Sequence, residues 1–438
     1  MKNKNINKFV NTSCLRKSSF CFGYKKGNTN WLFNTLSRKI YQLNYSWNEI
    51  SQEEINQLPS NQNADINDFL TSATNYEQEL KDYYELKKEK NKYKLTIYYT
   101  ITEHCDMKCT YCFENHLTRI STNKFNISKF IILLKKELSK NHNIKYLDLI
   151  LFGGEPLLRV DYCLLLLNSL NKICKKYNLK TKILMTTNGI IVNKKHLYEL
   201  KKIGLTDLQI TFDGWKKSHN EIREIENNGG YNKLLSNLIW LGEHFNLIIK
   251  YNIRKTNVIE FRYFINDIKN LKLKRYKIKL EALQSTLTNN DSFYFNSNDT
   301  KLALVYFKLA KFAIISSVPV DISSALKPPC MATADNSFMI EPDGDISACV
   351  SAYKMKSLFL GNTKKLMNLN LSRDFLRNNI MKAANSKCIV KRCSYFPICE
   401  TGCFFTKEIS NISYDKINCR ERYFSTLIPK LIELKILD

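Results

Sequence analysis

The chain has 438 residues, which allows roughly three domains and excludes a mini-protein without a substantial core. Hydrophobic residues make up 44% and charged residues 25%, as in globular proteins, and 67 Lys and Arg against 41 Asp and Glu give a net charge of +26. This charge is compatible with binding to nucleic acid, an anionic membrane surface or an acidic substrate, or with compositional drift. The fourteen cysteines are compatible with disulfides, metal or iron-sulfur clusters.

The expected cellular compartment limits the possible roles of the cysteines. The basic N-terminus lacks the apolar stretch that a secretory signal needs, and no run reaches the ~18 apolar residues of a membrane span. We therefore expect a cytoplasmic protein with no membrane association. Thiols stay reduced in the cytoplasm, so clustered cysteines there hold metal or take part in chemistry.

Residues 1–92 predict a small N-terminal α+β module. Residues 31–43 contain two strand-like runs around a polar turn, and Ser51 with Glu54 forms a capping box that predicts the start of a helix. The charge run at residues 84–92 predicts a linker to the next domain.

From residue 93 onward, strand-like and helix-like segments alternate. Short β-branched or aromatic runs predict six strands, at residues 95–102, 147–152, 183–187, 208–212, 247–253 and 276–283. Helical spacing predicts helices between them, at residues 127–141, 160–177, 194–203, 231–245 and 258–271. This alternation predicts an α/β fold in which residues 93–320 form a partial (β/α)6 TIM-like barrel. Residues 321–438 predict a loop-rich, cysteine-rich C-terminal domain.

The residues that follow the first four strands carry the candidate chemistry, because such barrels place their active sites at the C-terminal ends of the strands. HCDMKCTYCFE follows the first strand, GGEP the second and TNG the third. The fourth strand is followed by Asp213 and Gly214, and then by His219, Asn220 and Arg223. These residues are therefore expected on one rim of the barrel.

The first cysteine cluster is CxxxCxxC, formed by Cys105, Cys109 and Cys112. Three thiolates can ligate three irons of a 4Fe-4S cluster and leave the fourth iron open to an outside molecule. Zinc in structural sites usually takes four protein ligands, so an isolated triad suits it less well. Buried cysteines that act as small apolar residues are the remaining interpretation.

With an aromatic residue, Tyr111, before the last cysteine and GGEP after the second strand, the chain resembles the radical S-adenosylmethionine superfamily over residues 94–283. The resemblance implies that the open iron binds the amino and carboxylate groups of the methionine moiety. It also implies that a reduced cluster cleaves the sulfonium to give methionine and a 5′-deoxyadenosyl radical, which takes a hydrogen atom from the substrate. An electron donor such as flavodoxin or ferredoxin is implied as a partner.

The resemblance also suggests roles for the rim residues. Gly153 and Gly154 would let the backbone approach the cofactor, and Glu155 could accept hydrogen bonds from the methionine ammonium. Thr211, beside Asp213, lies where the family places a hydroxyl near the cofactor carboxylate or ribose. The guanidinium group of Arg254 could donate two parallel hydrogen bonds to the carboxylate. The predicted cofactor-binding set is Tyr111, Gly153, Gly154, Glu155, Thr211, Asp213 and Arg254, with weaker guesses for Asn188 (ribose) and Arg223 (substrate). A tight turn at GGEP and solvated rim charges at Asp213 and Arg254 are the structural alternatives. No catalytic base is identified.

Seven more cysteines follow the barrel: Cys330, Cys349, Cys388, Cys393, Cys399, Cys403 and Cys419. Their spacing resembles the SPASM extension of radical enzymes that modify peptides and proteins, with residues 342–349 as the hairpin turn between the first two cysteines. The resemblance implies two auxiliary 4Fe-4S clusters, one held by Cys330, Cys349 and Cys403 and the other by Cys388, Cys393, Cys399 and Cys419. One or two zinc sites are the alternative. Cys14, Cys21, Cys163 and Cys174 receive no role, and the last two are expected in the core.

Fold analogy does not settle the substrate. Anaerobic sulfatase maturases, which form formylglycine, carry Asp directly after the cysteine equivalent to Cys349, whereas Val350 stands there. Maturases of ribosomally made peptides commonly add the leader of the precursor as a strand to an N-terminal module, and residues 31–58 resemble the opening of such a module.

We therefore expect a peptide maturase that forms a thioether or carbon-carbon cross-link in a precursor peptide. The alternatives are a sulfatase-maturating enzyme, a radical enzyme that acts on nucleic acid and a non-enzymatic zinc-binding nucleic-acid module. Nucleic acid is not the expected partner, since no basic patch is interleaved with aromatic residues.

Overall fold

The computed structural model describes residues 16–51, 54, 70–112, 120–224, 230–283, 295, 300–326, 330–364 and 369–437. None of the helices in these ranges is long and apolar enough to cross a membrane.

The N-terminal part contains five strands and one helix: β1 (Arg16–Lys17), β2 (Cys21–Lys26), β3 (Thr29–Asn34), β4 (Ile40–Leu43), β5 (Leu70–Thr71) and α1 (Tyr76–Asn91). Strands β2, β3 and β4 form an antiparallel sheet in that order, and β1 pairs with β5. The two predicted strands are confirmed as β3 and β4, while β2, which mixes Gly with Lys, was missed. The capping box is present, since Ser51 Oγ accepts from the Glu54 amide at 3.1 Å, but the helix after it lies outside the described residues.

The linker predicted at residues 84–92 is wrong. Its residues up to 91 form the second half of α1, which begins where the Asn75 side chain accepts a hydrogen bond from the Gln78 amide at 2.9 Å. One side of the helix is buried, with Tyr76, Leu80 and Tyr83 in the main hydrophobic core. The charges that suggested a linker lie mostly on its other faces.

The barrel region alternates strands and helices as predicted. Its strands are β6 (Lys94–Thr102), β7 (Tyr146–Gly153), β8 (Lys180–Thr187), β9 (Leu205–Phe212), β10 (Asn246–Ile253) and β11 (Tyr276–Ala282). Its helices are α2 (Lys124–Lys140), α3 (Val160–Lys176), α4 (Lys194–Lys202), α5 (Lys216–Arg223), α6 (Gly230–His244), α7 (Phe261–Asn270) and α8 (Thr300–Ile315). The six strands are parallel and lie in chain order, so the predicted partial barrel is confirmed. Helix α5 was not predicted; it covers part of the expected rim loop.

Alternation along the strands separates the core from the inner face of the sheet. Leu149, Ile210 and Ile249 are almost fully buried and belong to the main hydrophobic core, whereas Thr211, Asn252 and Arg254 alternate with such positions. These polar residues of β9 and β10 and of the position after β10 are therefore placed toward the inner face and the rim.

The C-terminal part extends this sheet. Its strands are β12 (Ser337–Ile340), β13 (Asp345–Ser347) and β14 (Phe359–Asn362), and its helices are α9 (Leu369–Lys387), α10 (Phe396–Cys399), α11 (Phe404–Ile409) and α12 (Glu421–Leu437). Strand β12 pairs in parallel with β6, which gives the nine-strand order β11-β10-β9-β8-β7-β6-β12-β13-β14. The predicted hairpin turn is present between β12 and β13, with Gly344 at φ +94°. The domain boundaries after residues 92 and 320 stay predictions.

Candidate functional site

The cysteine loop leaves the end of β6 and is fixed to its neighbours by backbone hydrogen bonds. The amide of Cys112 bonds the carbonyl of Cys109 at 3.0 Å, and the amide of Thr110 bonds the carbonyl of Ile222 in α5 at 2.9 Å. Burial, with smaller contributions from Glu155 and the Cys109 thiol, raises the pKa of Cys105 to about 12. A bound metal cation reverses this effect, because a coordinating thiol is deprotonated outright. The three thiols, on one short loop at the rim, suit a cationic iron cluster.

The two glycines of GGEP allow two backbones to touch. Gly153 has φ +120°, and a Cβ atom added to it would overlap the carbonyl oxygen of Thr102. A Cβ atom added to Gly154 would overlap the carbonyl group of His104, at the start of the cysteine loop. The amides of Gly154 and Glu155 bond the carbonyls of Thr102 and His104, both at 2.8 Å. The close approach predicted toward a cofactor is therefore made toward the cysteine loop itself.

Glu155 is fully buried, and the protein itself supplies donors to both of its oxygens. Its carboxylate accepts from the Leu157 amide at 3.0 Å, the Thr187 hydroxyl at 2.8 Å and the Asn188 amide at 2.7 Å. Burial raises its pKa to about 7, against the opposing effect of these hydrogen bonds. Asn188 in turn donates to Asp106 at 2.6 Å. Glu155 thus joins GGEP to TNG, and Asn188 joins TNG to the cysteine loop.

Asp213 is the centre of a second buried network. Its carboxylate accepts from Tyr111 Oη at 3.0 Å, Arg223 Nε at 2.8 Å and Asn252 Nδ2 at 2.7 Å. Burial opposes ionisation of Asp213, but Arg223, His219 and Asn252 hold its pKa below the usual range. This network anchors Tyr111, the residue before Cys112, to the ends of β9 and β10.

Two members of that network have a larger role than the sequence indicated. Arg223 was a weak guess for a substrate contact, whereas it forms a buried ion pair with Asp213. Asn252 was missed, although a polar residue on the inner face, two positions before Arg254, was the available signal.

Arg254 has a donor group that the protein leaves unused. Its Nη2 donates to the Asp213 carbonyl at 2.8 Å and its Nη1 to Thr256 Oγ1 at 3.3 Å. Its Nε is buried and has no hydrogen-bond partner among the described residues, although the side chain is nearly inaccessible. A buried N–H normally finds a partner, so this atom suits an anionic group of a bound molecule. Thr211 lies on β9, two residues before Asp213 and opposite Lys250 of β10.

The seven C-terminal cysteines fall into two electrostatic neighbourhoods. Cys330 interacts with Cys349 and Cys403. Cys388 interacts with Cys393, Cys399 and Cys419. Burial raises the pKa of Cys388 to about 12, with smaller contributions from the neighbouring Cys393, Cys399 and Cys419. The described cysteines form no disulfide, so all seven are available as ligands. This grouping is the one that the family resemblance implies, and each group suits a cationic cluster.

The cysteines without an assigned role that lie within the described ranges belong to regular helices or strands. Cys163 and Cys174 are buried in α3, as expected, and Cys21 lies in β2. Cys14 lies outside the described residues.

Residues 99–268 match the family model described as the radical SAM superfamily. The chain is 23% identical over 363 residues to a cysteine-type anaerobic sulfatase-maturating enzyme of Clostridium novyi, covering 75% of this chain and 94% of the relative. The structure of native anSMEcpe with bound AdoMet and Kp18Cys peptide aligns with a TM-score of 0.60 and 18% identity, over 78% of this chain and 99% of that one. Streptococcus suis SuiB bound to precursor peptide SuiA aligns with a TM-score of 0.55 and 15% identity, over 93% of this chain and 99% of that one.

Proposed function

We propose that the chain is a maturase of a ribosomally made precursor peptide. It abstracts a hydrogen atom from one residue of that peptide and forms a thioether or carbon-carbon cross-link. The premise is that residues 99–268 form a radical SAM domain, in an enzyme that uses S-adenosylmethionine and iron-sulfur clusters. The observation that carries the proposal is the N-terminal antiparallel sheet, packed against the region of the second cysteine group. The fold likeness to SuiB, which binds a precursor peptide, extends over 93% of the chain and supports the same function.

The N-terminal part is held to that region by direct contacts from the residue after β3 and from α1. Thr35 Oγ1 donates to the carbonyl of Ser394 at 2.6 Å, and the Tyr76 hydroxyl donates to the carbonyl of Cys393 at 2.8 Å. Strand β4 is an edge of the sheet among the described strands. A peptide added to that edge as a strand would lie on a support fixed beside the proposed auxiliary cluster.

At the rim, Cys105, Cys109 and Cys112 would hold the cluster that binds S-adenosylmethionine. When bound and reduced by a donor such as flavodoxin or ferredoxin, such a cluster would supply the electron for cleavage of the sulfonium, and the resulting radical would take hydrogen from the peptide. Arg254 would donate its buried Nε–H to the methionine carboxylate, and Thr211 would contact the carboxylate or ribose of the cofactor. Glu155 and Asp213 act through other residues: they hold the TNG loop and Tyr111 in position.

The C-terminal cysteines would hold the auxiliary clusters, with Cys330, Cys349 and Cys403 at one and Cys388, Cys393, Cys399 and Cys419 at the other. Their proposed roles are to bind the peptide or to accept the electron released as the product radical is oxidised. Most of these cysteines lie in connections or at the ends of helices, so metal binding and local folding are expected to be coupled.

Sulfatase maturation is the second candidate, because the Clostridium novyi relative is 23% identical over 75% of the chain. Val350, directly after Cys349, supplies no carboxylate at the position where that reaction has its proposed base. The proteins matched above are enzymes, which argues against the non-enzymatic zinc-binding alternative.

The test uses protein reconstituted with iron and sulfide under anaerobic conditions. The enzyme is offered short peptides encoded beside its gene and, separately, a sulfatase-derived peptide with a target cysteine. We expect reductant-dependent formation of 5′-deoxyadenosine and a precursor peptide that loses a pair of hydrogen atoms, as measured by mass spectrometry. The C105A/C109A/C112A variant should form no 5′-deoxyadenosine. Formylglycine on the sulfatase peptide, with the precursor peptides unchanged, would establish the second candidate instead.

A further inference from the structure

A lysine is completely buried between the two groups of C-terminal cysteines. Lys407, in α11, has no exposed surface. Its Nζ donates to Thr401 Oγ1 at 3.2 Å and to the carbonyl of Tyr414 at 3.1 Å. Both acceptors are uncharged, so these hydrogen bonds satisfy the N–H groups without neutralising the charge.

A buried ammonium group requires a compensating negative charge, because removal from water is costly. Burial lowers the pKa of Lys407, and the groups that oppose this effect when negatively charged are, in decreasing order, Cys399, Cys403, Asp415 and Cys330. Asp415 is bound by the exposed hydroxyl of Ser413, at the protein surface. The compensating charges inside the protein are therefore on cysteines.

These cysteines belong to both groups. Cys399 lies in the group with Cys388, Cys393 and Cys419, whereas Cys403 and Cys330 lie in the group with Cys349. Lys407 thus lies near ligands of each proposed cluster.

The chain between Cys399 and Cys403 holds the two groups side by side. Its three residues, Glu400, Thr401 and Gly402, all have positive φ, at 46°, 63° and 105°. A Cβ atom added to Gly402 would lie 2.6 Å from the carbonyl oxygen of Asn418. Such a conformation is costly and persists where the surroundings require it. Its middle residue, Thr401, is the one whose hydroxyl accepts from Lys407.

Other cations near these cysteines reach one group. Lys387 lies near Cys388 and Cys393, and its Nζ is 3.7 Å from the Cys419 sulfur. Lys87 acts on Cys330 and is paired with Glu400. Lys407 differs from Lys87 in having no carboxylate bonded to it among the described residues, and the cysteines that act on Lys407 come from both groups.

We propose that Lys407 is a counter-charge shared by the two auxiliary clusters, which stabilises an added electron on either of them. The proposal rests on the proposed function, since it requires clusters at both groups of cysteines. A cluster ligated by thiolates becomes more negative when it is reduced, and a nearby fixed cation favours the reduced form. Lys407 transfers neither a proton nor an electron; it raises the reduction potential of both clusters.

The experiment measures reduction potentials rather than activity. The C105A/C109A/C112A background removes the ligands of the first cluster, so that redox titration followed by electron paramagnetic resonance reports the auxiliary clusters. In that background, K407M should shift both potentials to more negative values, and K407R, which keeps the charge, should restore both. K416M removes an exposed lysine nearby and should leave both unchanged. K407Q keeps an N–H donor without the charge. If K407M does not fold, K407Q takes its place and should likewise shift both potentials to more negative values.

Unchanged potentials in the uncharged variants, or a shift of one cluster alone, would overturn the shared role of Lys407. A different result overturns the proposed function itself: if the background protein with native Lys407 binds no iron at the C-terminal cysteines, there are no auxiliary clusters. Iron and sulfide analysis of that protein separates the two failures before any lysine variant is made.

Discussion

Gly154 is the residue at which the rim depends most directly on the absence of a side chain. An added Cβ atom would overlap the carbonyl of His104 and lie 2.8 Å from the carbonyl oxygen of Glu103. Both obstacles are backbone atoms, so neither can rotate away. We expect G154A to lower the free energy of unfolding by about 1–3 kcal/mol, as overpacking does, and to reduce 5′-deoxyadenosine formation because the cysteine loop must shift. Denaturant unfolding and the product assay measure the two effects.

Gly242 provides the matched control. It lies in α6, and an added Cβ atom would come within 3.2 Å of a terminal methyl of Leu273, which can rotate. Alanine is also a better helix former than glycine by about 1 kcal/mol, so G242A should leave stability and product formation near their normal values. If G154A behaved like G242A, the close approach of GGEP to the cysteine loop would not matter for the site.

The sequence predicts where the rim residues lie, whereas their contacts with one another are seen in the structure. Glu155 and Asp213 lie where the strand pattern places them, because the ends of parallel strands share one edge of a sheet. Their partners are Thr187, the last residue of β8, and Arg223, the last residue of α5. A periodic pattern fixes which way a residue faces but not which distant side chain meets it. Both carboxylates therefore suggested cofactor contacts, whereas their described hydrogen bonds are within the protein.

At the scale of elements, strand and helix prediction succeeded where burial is regular. The barrel strands are continuous apolar or β-branched runs, as expected of parallel strands covered by helices, and β10 begins and ends within one residue of its predicted range. Strands β12 to β14 have three or four residues each, too few to show a period. Their place in the sheet follows from pairing with β6, a long-range contact that the local sequence does not encode.

Helix α1 fixes the N-terminal part to the cysteine region through a buried ion pair. Lys87 is bonded to Glu400, which is almost fully buried and also accepts from Tyr83 at 2.7 Å. K87M would leave the Glu400 charge without its cation, at an expected cost of about 3–5 kcal/mol in unfolding free energy. Urea unfolding of the reconstituted protein measures this cost.

Two further variants show whether the cost comes from the unpaired charge. The double variant K87M/E400Q removes both charges and should recover part of the lost stability, as a double-mutant cycle would reveal. Lys92 pairs with Glu89 at the surface, so K92M should cost no more than about 1 kcal/mol. Equal losses in K87M and K92M would show that the buried pair does not hold α1 in place.

At the scale of the whole molecule, the N-terminal sheet and the C-terminal cysteines form one continuous structure. Residues of β2 and β3 contact this region, and the Tyr24 hydroxyl donates to Glu433 of α12 at 3.3 Å. The main hydrophobic core includes residues of the N-terminal part, the barrel and the C-terminal part. Deleting residues 1–92 would therefore expose the core as well as remove any peptide site, and peptide capture is better tested by single substitutions on the sheet.

The backbone of β4 offers such a substitution. The amide of Asn34 bonds the carbonyl of Lys39, and Phe33 lies opposite Ile40. Because hydrogen-bonded and non-hydrogen-bonded pairs alternate in antiparallel strands, the N–H of Gln42 points away from β3. Q42P would remove a donor from the outer edge while sparing the ladder with β3, and proline is tolerated on edge strands. We expect Q42P to weaken binding of the labelled precursor peptide, as measured by fluorescence anisotropy, and to leave peptide-independent cofactor cleavage unchanged.

The opposite edge of the sheet supplies the comparison. The amide of Thr35 bonds the carbonyl of Phe20, and Lys25 of β2 lies opposite Asn30 of β3. By the same alternation of hydrogen-bonded and non-hydrogen-bonded pairs, the N–H of Lys25 points away from β3, on the outer side of β2. K25P should leave peptide affinity unchanged if β4 is the docking edge. The reverse pattern would place the peptide on β2. If neither proline alters the affinity, the sheet does not capture the peptide by strand addition, and its contribution is to support the cysteine region against which it packs.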